Sequence, residues 1–269
     1  MLRDITLGQY YQADSIIHKL DPRVKLATTL IFIISLFVFD NIAGYAVAAI
    51  FLIIVIKVSK VPFKFMVKGM KAIVFLLLLT VICNLLLTPG EPVVTFWKLT
   101  ITKEGLRLAG LMAVRLSFLI IGSSIMTLTT TPNQLTDAME KMMGPLKKIK
   151  VPVHEIAMML SIALRFIPIL LEETDKIMKA QIARGADFES GNLVKKAKSM
   201  VPLLVPLFIS AFRRANDLAM AMEARCYRGG EHRTKMKPLH YEHRDYIAYA
   251  IVACYLAAGI AAGKIVGML

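Results

Sequence analysis

An all-α polytopic membrane fold is the class this sequence predicts, with about five transmembrane helices and, before the last of them, a domain of long amphipathic helices. Three observations carry that expectation. Of the 269 residues 57% are hydrophobic, against roughly 45–50% in soluble domains, and the mean hydropathy of +0.61 exceeds what one soluble core absorbs. The apolar residues gather into long runs separated by short polar stretches. The lysines and arginines, which set a net charge of +14, crowd some of those separators and avoid others, as positive-inside sorting requires.

The same composition narrows the function. A basic chain can bind nucleic acid, but no basic and aromatic platform interrupts the apolar runs, so no nucleic-acid partner is expected. Cys83, Cys226 and Cys254 lie far apart without a CxxC pair, which predicts neither a disulfide framework nor a thiolate metal site. His240-Tyr241-Glu242-His243 lacks the HExxH spacing and a third ligand, so no metal is expected there. No GxxxxGK[ST] loop is present, and ATP chemistry would have to come from a partner. The first 25 residues show no short apolar stretch followed by a small-residue cleavage site, so the first true span is expected to direct insertion.

Leu26 to Phe39 and Ile42 to Ile56 are apolar, parted by Asp40 and Asn41, and read as a helical hairpin. Each run is shorter than the roughly 20 residues a bilayer needs, so flanking residues or local thinning must help. A third run covers Ala72 to Leu87 and a fourth Leu106 to Leu128, the latter carrying Arg115. Ionisable or strongly polar groups in lipid are usually paired, so Arg115 and Asn84 are expected to make hydrogen bonds between helices. The fifth run, Tyr246 to Ile260, is continued by small residues, Ala257, Ala258, Gly259, Ala261 and Ala262, suited to close helix contact. These runs divide the chain into a membrane domain (1–130), an intervening domain (131–245) and a C-terminal span (246–269).

Orientation follows from the separators. Lys57, Lys60, Lys64, Lys68 and Lys71 lie between the second and third runs with no acid, whereas Pro89 to Gly105 balances Lys98 and Lys103 against Glu91 and Glu104. The lysine-rich side is expected to be cytoplasmic, with Arg23 and Lys25 beside it, the N-terminus inside and Trp97 at the outer interface.

The 131–245 stretch is too long for a structureless loop. Thr131-Pro132-Asn133 predicts a helix start with Thr131 as N-cap and Pro132 at the first position, and Gly144-Pro145 predicts its end. A second helix runs from Val153 to a stop at Gly185, kinked at Pro168; a third runs from Leu193 towards Gly229-Gly230, bent where Val201-Pro202 and Val205-Pro206 fall. Because the apolar parts of both contain Arg165 or prolines or span only half a membrane, both are expected to lie near the inner membrane surface.

Their ends carry the same pattern twice. Ala183-Arg184-Gly185 closes the second helix and Ala224-Arg225-Cys226 the third, the arginines 41 positions apart. One arginine at a helix C-terminus is ordinarily a solvated charge favourable to the macrodipole. Two matched copies are what a protein needs to engage two similar partners. A guanidinium between small residues can enter a groove and pair in plane with a carboxylate or carbonyls, which lysine cannot imitate.

These paired motifs, together with Leu20-Asp21-Pro22-Arg23-Val24-Lys25-Leu26, Thr130-Thr131-Pro132-Asn133-Gln134-Leu135 and Glu223-Ala224-Arg225-Cys226-Tyr227-Arg228-Gly229-Gly230, resemble the hallmarks of the transmembrane T component of energy-coupling factor (ECF) transporters, the CbiQ-like family. The resemblance covers most of the chain. It implies a non-catalytic scaffold in a prokaryotic cell membrane that links two cytoplasmic nucleotide-binding ATPase subunits, where ATP and Mg would be bound, to a separate membrane S component that selects a vitamin or other micronutrient. On that reading Ala183, Arg184, Gly185, Ala224, Arg225 and Cys226 dock the ATPases. Met158, Met159, Leu160, Ile167, Leu170, Leu203, Leu204, Leu207 and Phe208 offer an adaptable apolar face to S components, or else are ordinary core and membrane-contacting residues. The homologous scaffold of a cobalt or nickel uptake system is the alternative within the same architecture. From other classes, an integral membrane carboxylate-dependent protease would use Glu172, Glu173 and His154, and a membrane anchor would recruit cytoplasmic proteins without transport.

Overall fold

The computed structural model describes residues 10–39, 41–71, 73–96, 99–188, 192–230, 234 and 236–268. They fall into two compact units, one within Gly8–Ala138 and Leu239–Leu269, the other within Met139–Pro238. Asp40 and Trp97, singled out in the sequence, lie outside the described residues.

The first unit opens with one helical turn, α1 (Ile16–Lys19), whose N-cap Ser15 accepts from the His18 amide. In α2 (Pro22–Val38), Asp21 is the N-cap and Pro22 the first residue, where its missing N–H costs nothing. Then come α3 (Ile42–Ser59), α4 (Phe63–Lys71) and α5 (Val74–Leu87). An antiparallel hairpin, β1 (Pro92–Phe96) with β2 (Leu99–Thr102), joins α5 to α6 (Lys103–Thr129). Thr102 closes β2 and also caps α6, accepting from the Gly105 amide at 3.1 Å. α7 (Pro132–Met142) starts in this unit and α10 (His243–Met268) completes it.

The core lies where α2, α3, α6 and α10 meet: Phe32 and Leu36, Ala48 and Leu52, Ile121 and Ile125, and Tyr255 are buried together. Tyr255 stacks on Phe51 at 4.4 Å between ring centroids and shares a 2.7 Å hydrogen bond with Ser35 Oγ, which ties α10 to α2 inside the apolar layer. Gly259 is where that packing needs a missing Cβ, since a methyl there would overlap the Phe39 ring. The small-residue stretch expected at this helix contact is thus used.

The second unit holds the last turn of α7, a 3₁₀ turn (Gly144–Ile149), α8 (Val153–Ala183) and α9 (Leu193–Ala224). α7 begins as expected, with reciprocal bonds between Thr131 and Gln134: Gln134 N–H donates to Thr131 Oγ1 at 3.3 Å and Thr131 N–H to Gln134 Oε1 at 3.1 Å.

Several expectations need correction. Among the described residues four helices are long and apolar enough to cross a membrane: α3, α6, α8 and His243–Gly263 of α10. The first and third expected spans form helices of 17 and 14 residues, short of that length. α8, expected at the membrane surface, also has that length and hydropathy, since Pro168 leaves one continuous helix of 31 residues and Arg165 is the lone charge among apolar neighbours from Ile156 to Leu171. The lysine-rich separator is not a loop but contains the amphipathic α4. The all-α architecture holds apart from the β1–β2 hairpin, where Val94, Thr95, Thr100 and Ile101 favour pleated backbone. α9 stops at Ala224 rather than at Gly229-Gly230.

Arg115 finds the interhelical partner expected of it. Its Nε donates to Tyr45 Oη on α3 at 2.6 Å, Tyr45 Oη donates to the Leu36 carbonyl on α2 at 3.1 Å, and the guanidinium lies 5.4 Å from the Phe37 ring. Asn84 instead donates to the Thr80 carbonyl of its own helix at 2.9 Å. A side chain four residues from an available carbonyl satisfies itself locally, so the expected bond to a neighbouring helix is not this one.

Candidate functional site

Both arginines are helix C-caps of one design. Arg184 ends α8 with φ −87° and ψ 4°, Arg225 ends α9 with φ −91° and ψ 13°. After Arg184, Gly185 turns left-handed at φ 89°; Gly185 N–H returns to the Ile182 carbonyl at 2.9 Å and Ala186 N–H to the Gln181 carbonyl at 3.0 Å. After Arg225, Cys226 turns left-handed at φ 56°; Cys226 N–H bonds the Glu223 carbonyl at 2.8 Å and Tyr227 N–H the Met222 carbonyl at 3.0 Å. Each is a Schellman motif, with the two helix-end bonds satisfied and the cap side chain free of that duty. Cys226 reaches the geometry without glycine's freedom, and left-handed backbone costs a residue with a Cβ about 1–2 kcal/mol. The departure from Ala-Arg-Gly in the second copy therefore leaves its backbone shape intact.

All six motif residues, Ala183, Arg184, Gly185, Ala224, Arg225 and Cys226, are exposed. No heavy atom lies within 4 Å of a Cβ built on Gly185.

The two ends point apart because α8 and α9 run antiparallel. Gln181 Nε2 donates to the Pro202 carbonyl at 3.3 Å, Arg214 Nη2 pairs with Glu173 Oε2 at 3.1 Å, and Gly230 packs its backbone against the His154 ring. As the contacts move towards the start of α8 they move towards the end of α9. Arg225 therefore comes abreast of the early turns of α8 while Arg184 closes the other end, a separation of roughly 40 Å at 1.5 Å per residue. The Gln181 bond has a local cause. Pro206 has no N–H to offer the Pro202 carbonyl four residues earlier, and Gln181 supplies the missing donor.

Of the apolar face, Met159, Leu160, Ile167, Leu204 and Phe208 are exposed. Met158, Leu170 and Leu207 are half-buried. Leu203, only 5% exposed, is core and is removed from any docking surface. Residues not singled out in the sequence extend the face: Val201, Val205, Ile209 and Phe212 are each at least half exposed and share a side of α9 with Leu204 and Phe208. The period-3.6 spacing of these residues was the signal available for them.

The protease arrangement is not assembled. His154 Nδ1 pairs with Glu140 at 2.9 Å and Glu173 with Arg214. Along one helix His154 and Glu173 stand roughly 28 Å apart. Among the described residues no group of three or more His, Cys, Asp or Glu could hold a metal ion.

The quoted Leu20–Leu26 segment forms a buried polar node. Asp21 accepts from the Arg23 side chain at 2.8 and 3.0 Å, and Asp21 N–H donates to Asp245 Oδ1 at 2.9 Å. Lys25 Nζ donates to the His18 and Thr129 carbonyls at 3.0 and 2.9 Å, and the Arg23 guanidinium lies 4.0 Å over the Tyr241 ring. The segment thus fastens α1, α2, α6 and the start of α10 to one another.

The family model for the cobalt transport protein CbiQ matches residues 13–236. The chain is 59% identical over 250 residues to the energy-coupling factor transporter transmembrane protein EcfT of Clostridium kluyveri, covering 92% of this chain and 93% of that one. It is 53% identical to EcfT of Thermosediminibacter oceani, with 96% and 97% covered, and 47% identical to EcfT of Bacillus subtilis, with 91% and 93% covered. With its long apolar helices and its paired C-caps, the chain belongs to the CbiQ family and, within it, to the multi-pass energy-coupling factor transporter transmembrane proteins EcfT.

Proposed function

We propose that this scaffold subunit docks two cytoplasmic ATPase subunits through Arg184 and Arg225 and passes their nucleotide-driven movement to a membrane S component that binds a micronutrient. The observation that carries the reading is the pair of identical exposed caps at opposite ends of the α8–α9 hairpin. Two equivalent sites roughly 40 Å apart suit two similar partners side by side better than one partner gripped twice. Buried in a groove, each guanidinium would pair with an acid or carbonyls there, and its removal would cost about 2–5 kcal/mol. ATP and Mg would belong to those subunits. The exposed apolar strip on α9, with Phe208 and Phe212 rings 6.0 Å apart, is the surface offered to the S component. The lysines of α4 and the basic residues of the 139–238 unit support a cytoplasmic side for each by the positive-inside rule.

The test is purification from native membranes of wild type, Arg184→Ala, Arg225→Ala and the double variant, identifying co-purifying proteins and assaying ATPase-coupled uptake. Wild type should carry two ATPase subunits and a small membrane protein, and the double variant should lose the ATPases. Full retention and coupling without both arginines overturns the docking role. The family model's description, a cobalt transport protein, supports a second reading, uptake of cobalt or of the chemically similar nickel. The small membrane protein and the cargo it retains decide between a vitamin and a metal ion.

A further inference from the structure

The membrane unit holds a cleft of about 660 Å³ between α2, α3, α6 and α10, roofed by α1. That volume falls in the roughly 300–1,000 Å³ range of ligand sites. Its walls are almost wholly apolar, formed by side chains such as Phe32, Phe51, Ile125 and Val252, and it reaches the surface between Ile54, Ile247 and Ile251, each more than half exposed. The hydroxyls of Thr28 and Thr129 are turned back on the carbonyls of their own helices.

The charged residues lining the cleft are Lys19, Lys25 and Arg244, all bases. Lys19 pairs with Asp14 at the surface, Lys25 is held by two carbonyls, and Arg244 gives one Nη to Glu242 at 2.9 Å. Arg244 Nε is buried without a hydrogen-bond acceptor. An atom so buried is not open to the cleft, but a guanidinium has five N–H donors and the single pairing with Glu242 leaves others for an acceptor there. An apolar space of this size stays dry in water and, in a bilayer, is filled by what surrounds it.

We propose that the cleft binds an anionic phospholipid, one acyl chain lying along Phe32, Phe51 and Ile251 and the phosphate reached by Arg244 with Lys19 beside it. The chain needs apolar walls open to the side, and the phosphate needs basic donors at one end, which is the form lipid-headgroup sites between transmembrane helices take. A zwitterionic lipid meets the walls equally well but offsets the phosphate with its own cation. The preference for net negative charge is therefore the discriminating property.

The test uses the full chain, purified with its native partners, in nanodiscs containing phosphatidylglycerol or phosphatidylcholine with the same diazirine-labelled acyl chain. Labelled peptides are mapped by mass spectrometry. Expected is labelling concentrated on the cleft segments of α2, α3, α6 and α10, with phosphatidylglycerol preferred roughly ten-fold, the equivalent of one charge-assisted hydrogen bond. Arg244→Gln should bring the two lipids level. Ala248→Trp, which fills the cleft, should abolish the concentrated labelling while exposed positions such as Ile53 and Phe75 stay labelled. Equal labelling by the two lipids in wild type overturns the proposal, as does labelling that merely follows exposure. So does a cleft that stays unlabelled because a protein segment or second copy occupies it. Persistence of the preference in Arg244→Gln overturns the headgroup assignment.

Discussion

Replacing Asp245 with asparagine tests whether the buried node is structural. Asp245 is 1% exposed, and its two carboxylate oxygens have separate duties: Oδ1 accepts from Asp21 N–H at 2.9 Å and Oδ2 from Glu242 N–H at 2.8 Å. An asparagine has one acceptor oxygen, so whichever way the amide turns, one backbone N–H faces an NH₂ group. Leaving a buried donor unmade costs about 1–3 kcal/mol. The substitution also withdraws negative charge from the buried Lys25 and from the Arg23–Asp21 pair. Together these effects reach roughly 3 kcal/mol, which for a chain of this size lowers the midpoint by roughly 6–12 °C. Thermal unfolding of the detergent-solubilised chain measures it, with Asp14→Asn as control. Asp14 is 90% exposed and pairs with the surface Lys19, so the same loss of charge should leave the midpoint unchanged. If Asp245→Asn shifts the midpoint no more than Asp14→Asn does, the node is not what fastens α10 to α2.

Three further outcomes are expected. Cys226→Gly removes about 1–2 kcal/mol of left-handed strain and adds roughly 0.4–1 kcal/mol of unfolded-chain entropy, so unfolding should show a net gain of about 0.5–1 kcal/mol, whereas Gly185→Ala, with both terms reversed, should destabilise by about 0.5–1 kcal/mol. Tyr45→Phe deletes both the acceptor for Arg115 Nε and the donor to the Leu36 carbonyl and should cost about 1–3 kcal/mol by the same measurement, while Arg115→Met, which removes the charge and keeps the Tyr45–Leu36 bond, should cost less. His18 is held below its ordinary pKa, mainly by desolvation, with Nε2–H donating to the Tyr11 carbonyl at 2.9 Å and Nδ1 accepting from Ser15 Oγ at 2.7 Å. Its lowered pKa favours the neutral ring in the folded state, so its contribution is complete above about pH 6.5 and is lost as the pH falls below that. His18→Gln should flatten this acid limb of the stability profile.

What the sequence made legible was local. Thr131-Pro132-Asn133-Gln134 announces its helix start because every bond of that cap lies within four residues, and Gly185 announces a stop because glycine alone makes a left-handed turn without strain. Cys226 does the same work and carries no such sign, so the end of α9 was expected several residues late. The partner of Arg115 is 70 positions away and that of Asp21 is 224, distances over which composition and spacing are silent. α4 was within reach: Phe63, Met66 and Val67 recur at helical spacing between the lysines, and reading charge alone hid them.

The hairpin that carries the two arginines is held in a way that suits relaying movement under the proposed reading. Pro168, Pro202 and Pro206 each remove one backbone hydrogen bond from helices that are otherwise continuous for 31 and 32 residues, which gives both helices defined points of least stiffness. Between α8 and α9 the polar ties include Gln181 to the Pro202 carbonyl and Arg214 to Glu173, the latter partly exposed, and pairs of that kind contribute about 0–1 kcal/mol. Apolar contacts such as those of the buried Leu203 do most of the holding, and apolar packing is non-directional. Such a joint resists separation more than it resists a change of angle. The Schellman caps behave oppositely, because each is fixed by two backbone bonds and a left-handed residue. A displacement applied at Arg184 or Arg225 would therefore move the whole helix end rather than fray it, and would be taken up at the prolines and at the α8–α9 contact. The exposed apolar strip from Val201 to Phe212 lies on that part of α9.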